Sequence, residues 1–88
     1  MENINVSIEV VSDILNKLNI LKEETEIYLS DVQKTIDNAE LRGWNDKKYI
    51  EFRDMIDPIL KNGRDMVRKI EESAIPYLKQ LQAFIEEY

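Results

Sequence analysis

Between Val6 and Leu41 the chain carries no glycine or proline, and apolar residues recur at steps of three and four. Val11, Ile14, Leu15, Leu18, Leu21, Tyr28, Leu29, Val32, Ile36 and Ala39 follow the pattern of an amphipathic helix. At about 100° per residue they fall within an arc of roughly 140°. This predicts a helix over about residues 7–41, with Ser7 or Asn5 as its N-cap. Ile4, Val6, Ile8 and Val10 alternate with polar residues and would also suit a short strand, but the helical pattern from Val11 onward outweighs it.

The pattern breaks at Arg42-Gly43-Trp44-Asn45-Asp46. Gly43 suits a position after the helix that needs positive φ, and Asn45 or Asp46 suits the cap of a following helix. So short a break between long helices makes an antiparallel hairpin. A second helix is predicted over about residues 46–88. Met55, Ile56, Leu60, Met66, Val67, Ala74, Tyr77, Leu78, Phe84 and Ile85 again share an arc of roughly 140°. Pro58 and Pro76 interrupt it, each removing a backbone donor and crowding the carbonyl four residues earlier. The periodicity runs in phase through both, which predicts kinks and not breaks. Asp13/Lys17, Asp57/Lys61 and Asp65/Lys69 stand at i,i+4 with the acid first, the orientation that helices favour.

Two rods side by side bury only the seam between them, and an arc of ~140° is wider than one neighbour covers. Leu18, Leu21, Val32, Phe52, Ile59, Ile70 and Leu81 are assigned to that seam. The surplus would leave a long apolar strip facing water, which a second hairpin would cover. The expected architecture is therefore all-α: one antiparallel two-helix hairpin that dimerises into an elongated four-helix bundle. Ile20 and Ile27 lie seven residues apart on the back of the first helix. They read either as ordinary exposed isoleucines or as a second contact line.

Composition narrows the function. The chain has 88 residues, 43% hydrophobic and 34% charged, which makes one folded domain near the lower size limit for a self-sufficient core. Two glycines and two prolines are too few for the turns of a β-sandwich. No apolar run spans a membrane, and residues 1–20 lack the charged and apolar regions of a signal peptide. Cysteine and histidine are absent, so no thiol nucleophile, disulfide or Cys/His metal site is available and no cofactor is expected. Asp54 with Asp57, or Glu71 with Glu72, could be imagined as acid/base pairs, but they fall on the polar arc, where carboxylates have little leverage. The sequence reads as a non-enzyme. Net charge is −6, with −5 before Gly43, which argues against nucleic acid. Lys61, Arg64, Arg68 and Lys69 form a basic cluster, but Asp57, Asp65, Glu71 and Glu72 interleave with it and make a solvated face.

Trp44, the one tryptophan, sits in the turn, where it either caps that end of the helix pair or anchors a partner. With Gly43, Asn45 and Asp46 it forms the candidate partner-binding turn. A hairpin of matched helices around Trp44-Asn45-Asp46, followed by Tyr49, Phe52 and Ile75-Pro76-Tyr77-Leu78, resembles the WXG (ESAT-type) family of small type VII secretion proteins. The family's turn reads Trp-x-Gly, and here the third position is Asp46. Its Tyr-x-x-x-Asp/Glu export pattern is absent, since Tyr77 is followed four residues on by Leu81. The Phe-x-x-x-Asp variant is absent too, since Phe52 leads to Ile56. The signal would then sit on a partner, or the chain is cut short, or it is a relative that is not exported. What the resemblance implies is a secreted substrate, or a helical targeting partner for a larger effector such as an LXG toxin. It would pair as a homodimer, or as a heterodimer with another hairpin or the toxin's helical N-terminal region. It would reside in the cytoplasm before export by a signal-peptide-independent route. A generic helical adaptor binding one protein partner is the other reading.

Overall fold

The computed structural model describes residues 6–87, and among these every regular element is helical. Helix α1 spans Ile8–Leu41, α2 spans Lys47–Lys69, a single π-helical turn covers Ile70–Ala74, and α3 spans Ile75–Glu86. The second arm folds back along the first to give a rod of 62 × 20 × 15 Å.

The ends of α1 are set by the residues that the sequence offers. Ser7 is extended, and its hydroxyl oxygen accepts the Val10 N–H at 3.3 Å. Asn5, the other cap candidate, lies outside the described residues, as does Ile4. At the far end Gly43 has φ +106°. There the Gly43 N–H bonds the Glu40 carbonyl and the Trp44 N–H bonds the Ala39 carbonyl, both at 3.0 Å. That pair of bonds is the Schellman closure, which needs a residue without Cβ at its left-handed position. Asp46 and not Asn45 caps α2, its carboxylate accepting the Tyr49 N–H at 3.0 Å.

The buried seam follows steps of four and three along α1, through Val11, Leu15, Leu18, Lys22, Thr25, Leu29 and Ile36. It holds two apolar clusters, one at each end of the rod. At the open end Val11, 1% exposed, packs with Leu15, Ile70 and Ile75, flanked by Leu18, Leu78, Leu81 and Ile85. At the turn end Ile36, Tyr49 and Leu60 pack with Leu29, Phe52 and Ile56. Lys22 and Thr25 lie half-buried in the stretch between them. There the helices meet at Gly63, where a Cβ would come within 2.7 Å of a Leu29 methyl. A larger residue at Gly63 would force the Leu29 side chain to move aside.

Four of the seven residues assigned to the seam are there: Ile70 is buried, and Leu18, Phe52 and Leu81 are half-buried against the clusters. Leu21, Val32 and Ile59 are not. They remain exposed in the single chain, Ile59 at 57%. The seam centres on Val11, Leu15, Leu29 and Ile36, and Leu21 and Val32 sit some 60–80° around the helix from it.

The prolines also behave differently from each other. Helix α2 runs on through Pro58. Ahead of Pro76 the backbone widens into the π turn, where the Ile75 N–H reaches back to the Ile70 carbonyl. This turn inserts one residue into the repeat. The seam therefore passes from Ile70 to Ile75 and Leu78, and Tyr77 is left exposed. Because Pro58 is exposed in the middle of α2 and withholds a backbone donor, Pro58→Ala is expected to raise unfolding stability by about 1–3 kcal/mol in urea titration. An unchanged midpoint would mean that Pro58 fits its turn without strain.

Of the expected i,i+4 ion pairs, Asp57 bonds Arg53 and Asp65 bonds Arg68, instead of Lys61 and Lys69. Among the described residues no ion pair joins Asp13 to Lys17. Arg53 is drawn to Asp57 because it is already held across the turn.

Candidate interaction surface

Three surfaces carry the chemistry of this chain: the turn, an apolar flank and a polar flank. At the turn, the Schellman closure and the Asp46 cap fix Gly43, Trp44, Asn45 and Asp46 in place. The Trp44 indole stacks on Phe52 with centroids 5.8 Å apart and meets the Tyr49 ring edge-on at 5.3 Å. One side of the indole thus closes the turn-end cluster, while 40% of the residue stays exposed. The structural role and an anchoring role are compatible in this geometry.

Beside the indole a polar network ties the arms together. The Tyr49 hydroxyl donates to the Glu40 carboxylate at 3.0 Å and accepts from the Arg53 guanidinium at 3.1 Å. Arg53 also donates to Asp37 at 3.0 Å and pairs with Asp57 at 3.0 Å. Gln33 donates to the same Asp37 oxygen at 3.1 Å. The Arg53 hydrogen bond, helped by Gln33, holds the Asp37 carboxyl below its ordinary value. Burial, and after it the bond to Glu40, pushes the Tyr49 hydroxyl above its ordinary value. The helical periodicity gives no sign of this network. The available signal was the mirrored spacing of Asp37/Glu40 and Tyr49/Arg53 on either side of the turn.

The network has a pH signature. A carboxyl whose folded pKa is depressed contributes stability above its unfolded pKa and loses it as pH falls through the folded one. Arg53→Gln should therefore return the Asp37 titration, followed by NMR, toward the ordinary carboxylate value. It should also lower the thermal midpoint at neutral pH, by an amount that shrinks below the carboxylate range. An Asp37 titration unmoved by the change would show that the cross-turn pair is not formed in solution.

The second surface comes from the width of the apolar arcs. On α1, Val10, Ile14, Leu21, Tyr28 and Val32 are exposed and fall within roughly 40° of one another. On α2, Met55, Ile59 and Met66 are exposed beside the half-buried Phe52, within roughly 60°. These two stripes lie on the same side of the hairpin, since the opposite flanks of both helices line a common groove. The result is a two-helix apolar face along the rod, reaching the Trp44–Phe52 stack at the turn. Ile20 and Ile27 are exposed on the back of α1, away from this face.

The third surface is that groove, an open depression of about 780 Å³ at mid-length. Lys34, Lys61, Arg64 and Arg68 line it together with Glu26, Asp65, Glu71 and Glu72. Three residues of the sequence's basic cluster meet here, joined by Lys34 from the other arm. The interleaved carboxylates offset them, and Arg68 is taken up by Asp65. Near the open end the same flank is tied by a Gln82 amide donating to the Ser12 hydroxyl at 3.0 Å. Among the described residues no group of three or more acids is placed to hold a metal ion, and no helix is long and apolar enough to cross a membrane. No family model matches the chain, and no match is found among curated proteins or solved structures.

Proposed function

We propose that this protein works by binding helices and catalyses no reaction. The observation that carries the reading is the apolar face: exposed side chains from both arms line one side of the rod and are interrupted by few charges. Faces of this size on a small protein mark an interface, because leaving them in water costs free energy along their whole length. The face is long, straight and two helices wide, which suits another helical hairpin, either a second copy or the helical region of a larger chain. The Trp44 turn adds a half-exposed aromatic anchor at one end.

Within that reading the protein acts as a WXG-like factor of type VII secretion, a substrate or a helical targeting partner for a larger effector. Support comes from the Gly43-Trp44-Asn45-Asp46 turn at the middle of two matched arms. One observation favours the alternative of a general helical adaptor: Asp46, where the family has glycine, is occupied in capping α2.

Light scattering over a dilution series tests the binding reading. The expected particle has twice the 10.4 kDa chain mass, or a single chain that binds apolar dyes and pairs with another helical hairpin. A single chain that melts cooperatively, binds no dye and stays monodisperse at high concentration would sink it, because the face would then need no cover. For a partner so found, Trp44→Ala should keep the helicity and weaken affinity at least tenfold. Unchanged affinity would assign the indole to the turn-end cluster alone.

A further inference from the structure

We infer that the second arm holds a one-residue register switch after Ile70, in which α3 turns by about 100° and exchanges the side chains that pack on α1. The π turn is where the extra residue is stored. It adds one residue between Ile70 and Ile75, so each later side chain stands where its predecessor would stand in an uninterrupted α-helix.

In the π register Ile75, Leu78, Gln82 and Ile85 turn toward α1. Ile75 is 6% exposed, and Leu78 and Ile85 are half-buried against the open-end cluster. Gln82 is half-buried too, with its amide on the Ser12 hydroxyl. Closing the π turn to an α turn puts Ala74, Tyr77, Leu81 and Phe84 in those four places. Either set lines a seam. The α register gives up Ile75 for an alanine. In return it gains Leu81 in place of the polar Gln82, and aromatic rings in place of Leu78 and Ile85.

Little pins α3 to one register. Neither the π turn nor α3 has a side-chain cap at its start. Among the described residues no ion pair involves either segment, and the one side-chain hydrogen bond from α3 to α1 is that of Gln82. Pro76 does not forbid the change, since α2 runs on through Pro58 as an α-helix.

The register sets the length of the apolar face. On α2 the exposed Met55, Ile59 and Met66 each directly precede an inward residue, Ile56, Leu60 and Val67. Tyr77 and Phe84 precede Leu78 and Ile85 in the same way, so in the π register they carry the face on toward the open end. In the α register they enter the seam, Ile75, Leu78 and Ile85 turn to the opposite flank, and the face stops near Met66. The switch goes beyond helix binding, because it is a property of one chain whatever covers the face.

The test removes one register at a time. Tyr77 is 68% exposed, so Tyr77→Asp alone should leave the thermal midpoint within about 4 °C of the parent chain. Ile75→Asp puts a carboxylate in the open-end core and should drive the chain into the other register. Its helical circular dichroism should persist, and NMR should show new Overhauser contacts from the Tyr77 ring to the methyls of Val11, Leu15 and Leu18. The double variant spoils both seams and should lose helicity that each single variant keeps. Deleting Ser73, an exposed residue of the π turn, removes the stored residue and leaves Ile75 on α1 in a plain α-helix. In that shortened chain Ile75→Asp should no longer be rescued. If Ile75→Asp in the full chain loses as much helicity as the double variant, or brings no Tyr77 contact with α1, the second register is not reached and the switch is overturned. Equal tolerance of Ile75→Asp with and without Ser73 would overturn it as well, because the rescue would then owe nothing to register.

Discussion

Leu60→Asp is expected to leave the chain without helical circular dichroism or a cooperative melt, and Leu60→Ala to cost about 2–5 kcal/mol of unfolding free energy. Leu60 is 3% exposed in the turn-end cluster, between Ile36 and Tyr49. The rod is only two helices thick, and its buried side chains, apart from Val67, divide between two clusters separated by Lys22, Thr25 and Gly63. Neither cluster has neighbours that could take over the work of the other. A chain of this size has roughly 4–13 kcal/mol of stability to lose. Losing the leucine and burying an unpaired carboxylate together reach that range, the second costing several kcal/mol by itself. The alanine variant separates packing from charge. Its thermal midpoint should fall by about 8 °C or more, given some 4–8 °C per kcal/mol in domains of this length. A Leu60→Asp protein with native helicity and an unchanged melt would show that the turn-end cluster is not a core in solution.

The cluster also shows why the hairpin was legible in the sequence and its seam only partly so. Helix ends depend on a few residues close in sequence: Gly43 announces its role by type and position, and the caps Ser7 and Asp46 are each one of two nearby candidates. The seam depends on which part of a wide apolar arc turns toward the neighbour. Leu21, Val32 and Ile59 are as apolar as Leu15, Leu29 and Leu60, so periodicity alone cannot rank them. The ranking comes from close approach at Gly63 and from the cross-turn hydrogen bonds of Tyr49 and Arg53, which set the rotation of each helix.

The π turn was hidden for a related reason. Ala74, Tyr77, Leu81 and Phe84 continue the α-helical repeat of the second arm, while Ile75, Leu78 and Ile85 offer a second register displaced by one residue. Both are apolar, and one dimension does not separate them. Pro76 directly follows that turn: in an uninterrupted α-helix its ring would crowd the Glu72 carbonyl, as Pro58 crowds that of Asp54 within α2. Widening the preceding turn relieves that clash and moves Ile75 into the open-end core. Leu81 is half-buried against the open-end cluster, so its assignment to the seam holds despite the shift.

The apolar face yields the sharper test, because two adjacent isoleucine and leucine residues stand on different sides of α1. If copies of the chain pair through this face, Leu21→Glu should lower the particle to a single chain and weaken self-association by at least a hundredfold, while Ile20→Glu should leave it unchanged. Both residues are exposed in the single chain, so both substitutions remove similar apolar surface and add the same charge. Their effects on the isolated hairpin should each stay within about 0.5 kcal/mol, the usual range for surface positions. They differ by about 100° around the helix, which puts Leu21 in the face and Ile20 on the back. A glutamate buried in a helical interface must shed its hydration without a partner, and that penalty, doubled by two-fold symmetry, outweighs what remains of the apolar contact. Light scattering and circular dichroism on the two variants read the result. If Leu21→Glu loses helicity along with mass, the hairpin completes its folding only on association, and the face is still the surface responsible. If Leu21→Glu keeps the mass of two chains, that face is not where copies meet. If Ile20→Glu is the variant that dissociates, the interface lies along Ile20 and Ile27 on the back of α1.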